Sequence, residues 1–198
     1  MVFKLNYEIE KKILNNLSLT DDEVNVFLCF ICKEIRQNNQ IYDPMDTNCK
    51  VCYETSENFG RLTAIRFGCE VEILDIKKIL QIPLTHYANF ISFNVNGSKK
   101  TYLVDMTYSQ FFGDTITLDR NKENDEKVVP TQKIFGSIEK ELFVQQLRQY
   151  GFVELNESIL KSYIDAFLDL CEAKNKEQAY ENINKLLTKN KINSVLKK

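Results

Sequence analysis

The chain has 198 residues, a length that fits one domain able to bury about 70% of the surface of its unfolded form. Hydrophobic residues make up 43% and charged residues 27%, so global disorder is not expected. The 26 basic and 28 acidic residues leave a net charge of −2, which argues against a nucleic-acid partner. No run of about 18 apolar residues is present, so no membrane span is expected.

The N-terminus and the cysteines favour an intracellular protein. The first residues lack the basic-then-apolar order of a secretory signal, so we expect a cytoplasmic location. The six cysteines do not make a disulfide framework, and without an export signal we interpret them as free thiols.

Two helices are predicted before the first cysteine-rich segment. Residues 6–17 have an amphipathic pattern, and Thr20 with Glu23 forms a capping box for a second helix. This second helix has a broad apolar stripe, which predicts a central, buried element. Its apolar positions are Val24, Val26, Phe27, Leu28, Cys29, Phe30, Ile31 and Ile35.

A loop and a third helix follow. Residues 38–51 have no period and contain Asp43-Pro44, which indicates a loop. A helix is predicted from Cys52 to Phe67, with Gly68 as its left-handed stop. We expect its inward positions to be Phe59, Leu62 and Ile65.

Strands are predicted next. Cys69, Val71 and Ile73 alternate with charged residues, as in a half-buried strand. The runs 86–95 and 100–107 are rich in β-forming residues and flank Asn96-Gly97, a strong hairpin signal.

The rest of the chain is predicted to be helical. Residues 119–127 are a solvated charge run. Ser137 can cap a helix that ends at Tyr150-Gly151, and Asn156 can cap the next one. A last helix is expected at about 176–188.

Three residues supply what a cysteine nucleophile needs, namely a thiolate, a base and a group that fixes the base's tautomer. Cys52 opens a helix, where unpaired N–H groups and the helix dipole favour the thiolate. His86 is the only histidine and opens a strand. Asp105 lies in an apolar run, where a carboxylate needs a partner, although it could also cap the following turn through Thr107.

The turn chemistry places two of these residues on one sheet face. A two-residue turn at Asn96-Gly97 pairs Val95 with Ser98, and the same register pairs Ala88 with Asp105. His86 and Asp105 then become diagonal neighbours, roughly 7–8 Å apart at Cα. A slip of one residue would place them on opposite faces.

Residues 48–112 resemble the core of the transglutaminase-like branch of the papain-like cysteine enzymes. The resemblance lies in three motifs in the order Cys, helix, strand, His, strand, Asp: Cys52-Tyr53-Glu54-Thr55-Ser56, His86-Tyr87-Ala88-Asn89 and Tyr102-Leu103-Val104-Asp105-Met106-Thr107. It implies an α+β fold with the catalytic helix packed on a small antiparallel sheet, and further helices at both ends. It also implies that Cys52 is the nucleophile, His86 the general base and Asp105 its orienting group.

The expected protein is therefore a single-domain enzyme of residues 1–198, with a core at about 48–112 and a helical part at about 137–190. It would transfer the acyl group of a protein or peptide amide to water, as a protease or deamidase does, or to an amine. No cofactor or metal is expected. For the oxyanion, the Cys52 backbone N–H is the default donor, Asn48 is a second candidate or a turn residue, and Asn89 is expected to be structural.

Alternative functions use the same cysteines. Cys29-x-x-Cys32 and Cys49-x-x-Cys52 have zinc-site spacing, but the apolar flanks of the first pair favour buried free thiols. Cys49 and Cys52 could also form a redox pair. A non-catalytic binding module with the same fold is the third alternative. Cys69 and Cys171 are interpreted as core residues.

Overall fold

The computed structural model describes residues 5–48, 51–119 and 126–189, which form a mixed α+β structure. The helices in these ranges are α1 (Tyr7–Leu14), α2 (Asp21–Asn38), α3 (Cys52–Phe67), α4 (Ile76–Leu80), a 3₁₀ helix (Tyr108–Phe112), α5 (Gln132–Ile138), α6 (Leu142–Tyr150), α7 (Glu157–Leu170) and α8 (Lys176–Lys189). The strands are β1 (Val71–Asp75), β2 (Tyr87–Val95), β3 (Ser98–Val104), β4 (Thr115–Asp119), β5 (Glu126–Pro130) and β6 (Phe152–Glu154).

A four-stranded antiparallel sheet in the order β1-β2-β3-β6 lies between two helical layers. One face packs against α1, α2 and α3, and the other packs against α4, the 3₁₀ helix and α5 to α8. The strands β4 and β5 form a separate two-stranded ribbon. The expected α+β class with a small antiparallel sheet is confirmed.

The β2–β3 hairpin has the predicted register. Asn96 and Gly97 have φ angles of 51° and 81°, as a two-residue turn of type I′ requires. Val95 lies opposite Ser98, and the pairing continues to Asn89 opposite Val104. The observed ladder ends there, one step before the predicted pair of Ala88 and Asp105.

The third helix has its predicted bounds, but one predicted inward position is wrong. Gly68 ends α3 with a φ of 67°. Ile65 is 81% exposed, whereas Thr63 is fully buried and donates its hydroxyl to Phe59 O at 2.6 Å. The buried positions Phe59, Thr63 and Phe67 are four residues apart. The predicted positions are three residues apart, so the last of them, Ile65, lies on the solvent side of the helix.

The second helix is less buried than predicted. The capping box of Thr20 and Glu23 is confirmed. Val26 is 49% exposed and Cys29 is also exposed, so the prediction of a central helix, and of Cys29 as a core thiol, is wrong. The helix covers one sheet face and leaves its outer side to solvent, as an amphipathic helix does.

The segment from Ser137 to Tyr150 is not one helix. It contains the end of α5 and all of α6, separated at residues 139–141, with Glu141 in an extended conformation. Ser137 does not cap a helix, because it lies inside α5 and donates its hydroxyl to Ile134 O at 2.6 Å. The break allows Phe135 and Phe143 to enter the same core.

The structure also contains strands that were not predicted. The strand β6 follows Gly151, and the β4–β5 ribbon flanks the predicted charge run, of which residues 120–125 lie outside the described part. The helices capped by Asn156 and at 176–188 are confirmed as α7 and α8. Among the helices described, none combines the length and apolar character needed to cross a membrane.

Gly151 closes α6 against the segment that follows β3. Its φ is +86°, and a Cβ added there would lie 2.7 Å from Met106 Cγ and 3.4 Å from Met106 Cα. Its carbonyl oxygen accepts a hydrogen bond from Asp105 N at 2.8 Å. Only glycine fits this backbone conformation and this close approach without strain.

We expect Gly151→Ala to lower the free energy of unfolding by about 2–4 kcal/mol, because left-handed strain and overpacking add. The matched control is Gly97→Ala, since Gly97 has a φ of +81° but no atom within 4 Å of an added Cβ. The control should lose only about 1–2 kcal/mol. Urea denaturation measures both, and equal losses would contradict the packing role of Gly151.

Candidate active site

Cys52 is the first residue of α3, so its backbone N–H has no partner within the helix. The positive end of the helix dipole lies at the same point and favours a thiolate. The residue is 8% exposed, so only a small part of it meets solvent.

Asn89 fastens the start of α3 to β2. Its buried side-chain amide donates to Ser56 O at 3.1 Å, one turn beyond Cys52. It thereby bonds to the helix on one sheet face, while His86 packs against residues of the other face. This contact supports the structural role expected for Asn89.

His86 immediately precedes β2 and is fully buried. Its backbone oxygen accepts a hydrogen bond from Ile76 N at 3.0 Å. The ring lies edge-on to Phe111 with centroids 4.7 Å apart, and its centroid is 5.5 Å from that of Phe167. These contacts hold the imidazole in one orientation.

The carboxylate of Asp105 is buried and receives four hydrogen bonds. Oδ2 accepts from His86 Nε2 at 2.7 Å and from the Tyr163 hydroxyl at 2.8 Å. Oδ1 accepts from the backbone N–H and the hydroxyl of Thr107, at 3.2 and 3.3 Å. Asp105 therefore has both roles considered from the sequence, the partner of the histidine and the cap of the next turn, on different oxygen atoms.

The pKa of His86 reflects opposing effects. Burial disfavours the charged ring and lowers its pKa, but the charge and hydrogen bond of Asp105, followed by the interaction with Cys52, raise it to about 9. At neutral pH the imidazolium form is therefore favoured. A protonated ring beside Cys52 is the electrostatic partner that a thiolate needs.

The hydroxyl of Tyr163 donates a hydrogen bond to Asp105 Oδ2 and stays protonated. Burial, followed by the charge of Asp105, raises the pKa of Tyr163 well above its ordinary value. The hydroxyl therefore remains a donor over the working range of the site. This residue comes from α7, 58 positions after Asp105, and no sequence signal distinguished it from the other core positions.

Arg36 stabilises the segment next to Asp105 by hydrogen bonds to backbone oxygens. Its guanidinium donates to the backbone oxygens of Gln149 at 2.8 Å and Arg148 at 3.2 Å, both at the C-terminal end of α6. It also lies 3.4 Å from Met106 O. A cation at a helix C-terminus satisfies carbonyls that have no partner within the helix. Arg36 therefore links α2 and α6 to the residue that follows Asp105.

Gln110 is a site residue that the sequence analysis missed. Its side-chain Nε2 lies 3.0 Å from His86 Nδ1, the ring nitrogen that does not face Asp105. Gln110 is half-buried and belongs to the 3₁₀ helix. Ser109 beside it donates its hydroxyl to Pro44 O at 2.6 Å, which ties this helix to the loop before Cys52.

Asn48, the second oxyanion candidate, lies in an exposed turn. Its backbone N–H donates to Asp46 Oδ1 at 2.8 Å. Among the described residues no hydrogen bond joins its side chain to Cys52 or His86. The structure thus favours the turn role that the sequence left open.

The remaining cysteines have other surroundings. Cys32 is buried, and burial raises its pKa to about 12, whereas Cys69 and Cys171 are half-buried. Cys49, on which the zinc and redox alternatives depend, lies outside the described residues. Within the described ranges no group of three or more metal-binding side chains occurs.

A cavity of about 710 Å³ lies on another part of the surface. It is lined by residues of α2, β3, α6, β6 and the start of α7 and contains none of the three predicted catalytic residues. Lys100 crosses it and forms ion pairs with Asp21 at 2.6 Å and Glu154 at 3.1 Å. These ion pairs give each of the three charged side chains, Lys100, Asp21 and Glu154, a partner of opposite charge.

Comparisons with protein-family models, with curated proteins and with solved structures find no match for this chain.

The free energy of unfolding should depend on pH through His86, the only histidine in the chain. Its pKa of about 9 in the folded state exceeds the roughly 6.5 of an unfolded chain, so its stabilisation is full below about pH 6.5 and lost as pH rises through 9. We expect a loss of up to about 3 kcal/mol over this window.

Urea denaturation of wild type and His86→Gln at both ends of the window measures this effect. Cysteines without an interaction with His86 contribute equally to both proteins, so the difference reports His86 together with Cys52, the thiol that interacts with it. Parallel pH dependences in the two proteins would contradict the raised pKa.

Proposed function

We propose that this chain is a thiol enzyme of the transglutaminase-like branch of the papain-like enzymes, with Cys52, His86 and Asp105 as its catalytic triad. The hydrogen bond of 2.7 Å between His86 Nε2 and Asp105 Oδ2, both fully or almost fully buried, carries the proposal. The other ring nitrogen, Nδ1, lies 3.0 Å from Gln110 Nε2 and would be the one that exchanges a proton with Cys52. The start of α3 provides the thiol with a positive local potential.

In the proposed reaction the Cys52 thiolate attacks the carbonyl carbon of an amide, and the carbonyl electron pair moves to oxygen. The protonated His86 then gives its Nδ1 proton to the leaving nitrogen, the C–N bond breaks and the amine departs. A thioester to Cys52 remains. His86 next removes a proton from the acceptor, whose attack on the thioester breaks the S–C bond and restores the thiolate.

The acceptor is water in a protease or deamidase and an amine in a cross-linking enzyme, and the chemistry at Cys52 is common to both. We propose a protein or peptide as the acyl donor and a cytoplasmic location. The described turns at residues 41–48 and the 3₁₀ helix flank the triad, so they would contact the groups next to the scissile bond.

The first test compares the reactivity of Cys52 with that of Cys29. Cys29 is exposed as a residue, but partial burial of its sulfur raises its pKa. The positive charge of Arg36 opposes part of this rise. At about pH 6 and with limiting iodoacetamide, Cys52 should be alkylated at least about tenfold faster despite its burial, because the alkylation rate follows the thiolate fraction. Peptide mass spectrometry gives both rates in one sample.

His86→Ala should abolish this advantage, since it removes the cationic partner of the thiolate. If Cys52 reacts no faster than Cys29 in the wild type, Cys52 is not the nucleophile.

The second test replaces Asp105 by Asn, which keeps the size and the bonds to Thr107 but must present its NH₂ group to His86. The imidazole then adopts the wrong tautomer, a change that costs about 10⁴-fold in a serine protease, so we expect a loss of at least about a hundredfold in acyl transfer. The pH profile of Cys52 alkylation should move at the same time.

Thr107→Val is the matched control, because it removes one bond to Oδ1 and leaves the bond to His86 intact. Its alkylation profile should remain close to that of the wild type. Superimposable profiles for the wild type and Asp105→Asn would leave Asp105 with a structural role alone.

A further inference from the structure

Each nitrogen of the His86 imidazole has a side-chain partner from a different segment. Asp105 Oδ2 lies 2.7 Å from His86 Nε2, and Gln110 Nε2 lies 3.0 Å from His86 Nδ1. The ring is fully buried and Gln110 is half-buried. A polar group that binds a buried imidazole affects both its orientation and its charge.

The 3₁₀ helix fixes the position of Gln110 relative to Asp105. Gln110 N donates to Thr107 O at 3.1 Å, and the N–H and hydroxyl of Thr107 donate to Asp105 Oδ1. Ser109 also ties this helix to Pro44 O. One short segment thus positions the partners of both ring nitrogens.

The charge of the ring determines which atom of the Gln110 carboxamide can bind it. With Nε2–H donated to Asp105, a neutral ring has a lone pair on Nδ1 and accepts from the amide NH₂ group. A protonated ring carries a hydrogen on Nδ1 and binds an acceptor. A half-turn of the carboxamide exchanges its nitrogen and oxygen while the ring and the 3₁₀ helix stay in place.

The protonated ring is the form favoured at neutral pH. Burial lowers the pKa of His86, but the charge and hydrogen bond of Asp105 raise it to about 9. A hydrogen bond that involves a charged group is roughly twice as strong as one between neutral groups. The bond from Nδ1–H to the amide oxygen therefore outweighs the bond that the amide NH₂ group makes to a neutral ring.

We propose that Gln110 is a positioning residue whose side-chain oxygen accepts the Nδ1 hydrogen of protonated His86 and helps to keep the ring charged. The inference rests on the proposed function in one respect, since the charged ring matters there as the partner of the Cys52 thiolate. When Cys52 attacks an acyl group and loses its charge, Gln110 still holds the ring in its orientation.

The test is an NMR titration of His86, whose imidazole signals are unambiguous because it is the only histidine. Long-range ¹H–¹⁵N spectra of the ¹⁵N-labelled full chain without a histidine tag give the pKa. The other titratable groups around the ring are Asp105, Cys52, Tyr108 and Tyr163. Burial, followed by the charge of Asp105, raises the pKa of both tyrosines well above its ordinary value, so they stay neutral. The titration uses a Cys52→Ala background, which removes the thiol and requires no activity.

Gln110→Met keeps the length of the side chain and removes its amide, so it should lower the pKa of His86 by about half to one unit. Gln110→Glu keeps the shape and presents an ionised acceptor, so it should raise this pKa by about one unit or more. The matched control is Ser109→Ala, which loses the bond to Pro44 O but keeps the contact with the ring. Its pKa should stay within about 0.2 units of the starting value.

A raised pKa in Gln110→Met would show that the amide acts as a donor to the neutral ring and would overturn the proposal. An unchanged pKa in that variant would overturn it as well. A fall in both Gln110 variants would leave only a packing role. The proposed function fails separately, when Cys52 in the wild type is alkylated no faster than Cys29, and the titration of His86 still decides the role of Gln110.

Discussion

The buried carboxylate of Asp105 organises the residues around it. A charged group without partners in a protein interior costs several kcal/mol, so the fold must supply donors to it. Four donors do so, from the start of β2, from the turn at Thr107 and from α7. Hydrogen bonds to the Asp105 carboxylate thus bring together three segments, those that contain His86, Thr107 and Tyr163.

Helices from both faces of the sheet contact the residues around Asp105. Asn89 holds the first turns of α3 against β2 from one face, and Tyr163 approaches Asp105 from the other. Cys52 and the Asp105 carboxylate both interact with the same imidazole. Arg36 and Gly151 then fix the segment after β3, so the position of Asp105 depends on contacts with α2 and α6 as well as on the hairpin.

Burial also determines the electrostatics of the site. His86 is fully buried and Cys52 almost so, which removes water that would screen their charges. The same burial would suppress the charge on His86 if Asp105 were absent. The protonated form of the ring therefore depends on Asp105, and Gln110 is the half-buried polar group beside it.

Features that depend on a few neighbouring residues could be predicted from the amino-acid sequence alone. The capping box at Thr20, the start of α3 at Cys52, the stop at Gly68 and the turn at Asn96-Gly97 each follow from the chemistry of a few adjacent residues. The turn fixed the register of the hairpin, and the period of a strand then placed His86 and Asp105 on one face. Two of the three predicted site residues could be brought together in this way without any tertiary information.

The other residues that complete the site could be identified only from the packing of the folded chain. Tyr163 lies in an apolar helix in which its hydroxyl has no local role, and Gln110 lies among aromatic residues with no motif around it. Arg36 lies in the last turn of α2, a common position for a cation. The break between α5 and α6 likewise depended on where Phe135 and Phe143 could enter the core. These roles arise from packing between segments distant in the chain, and such contacts leave no period, cap or turn signal in the sequence.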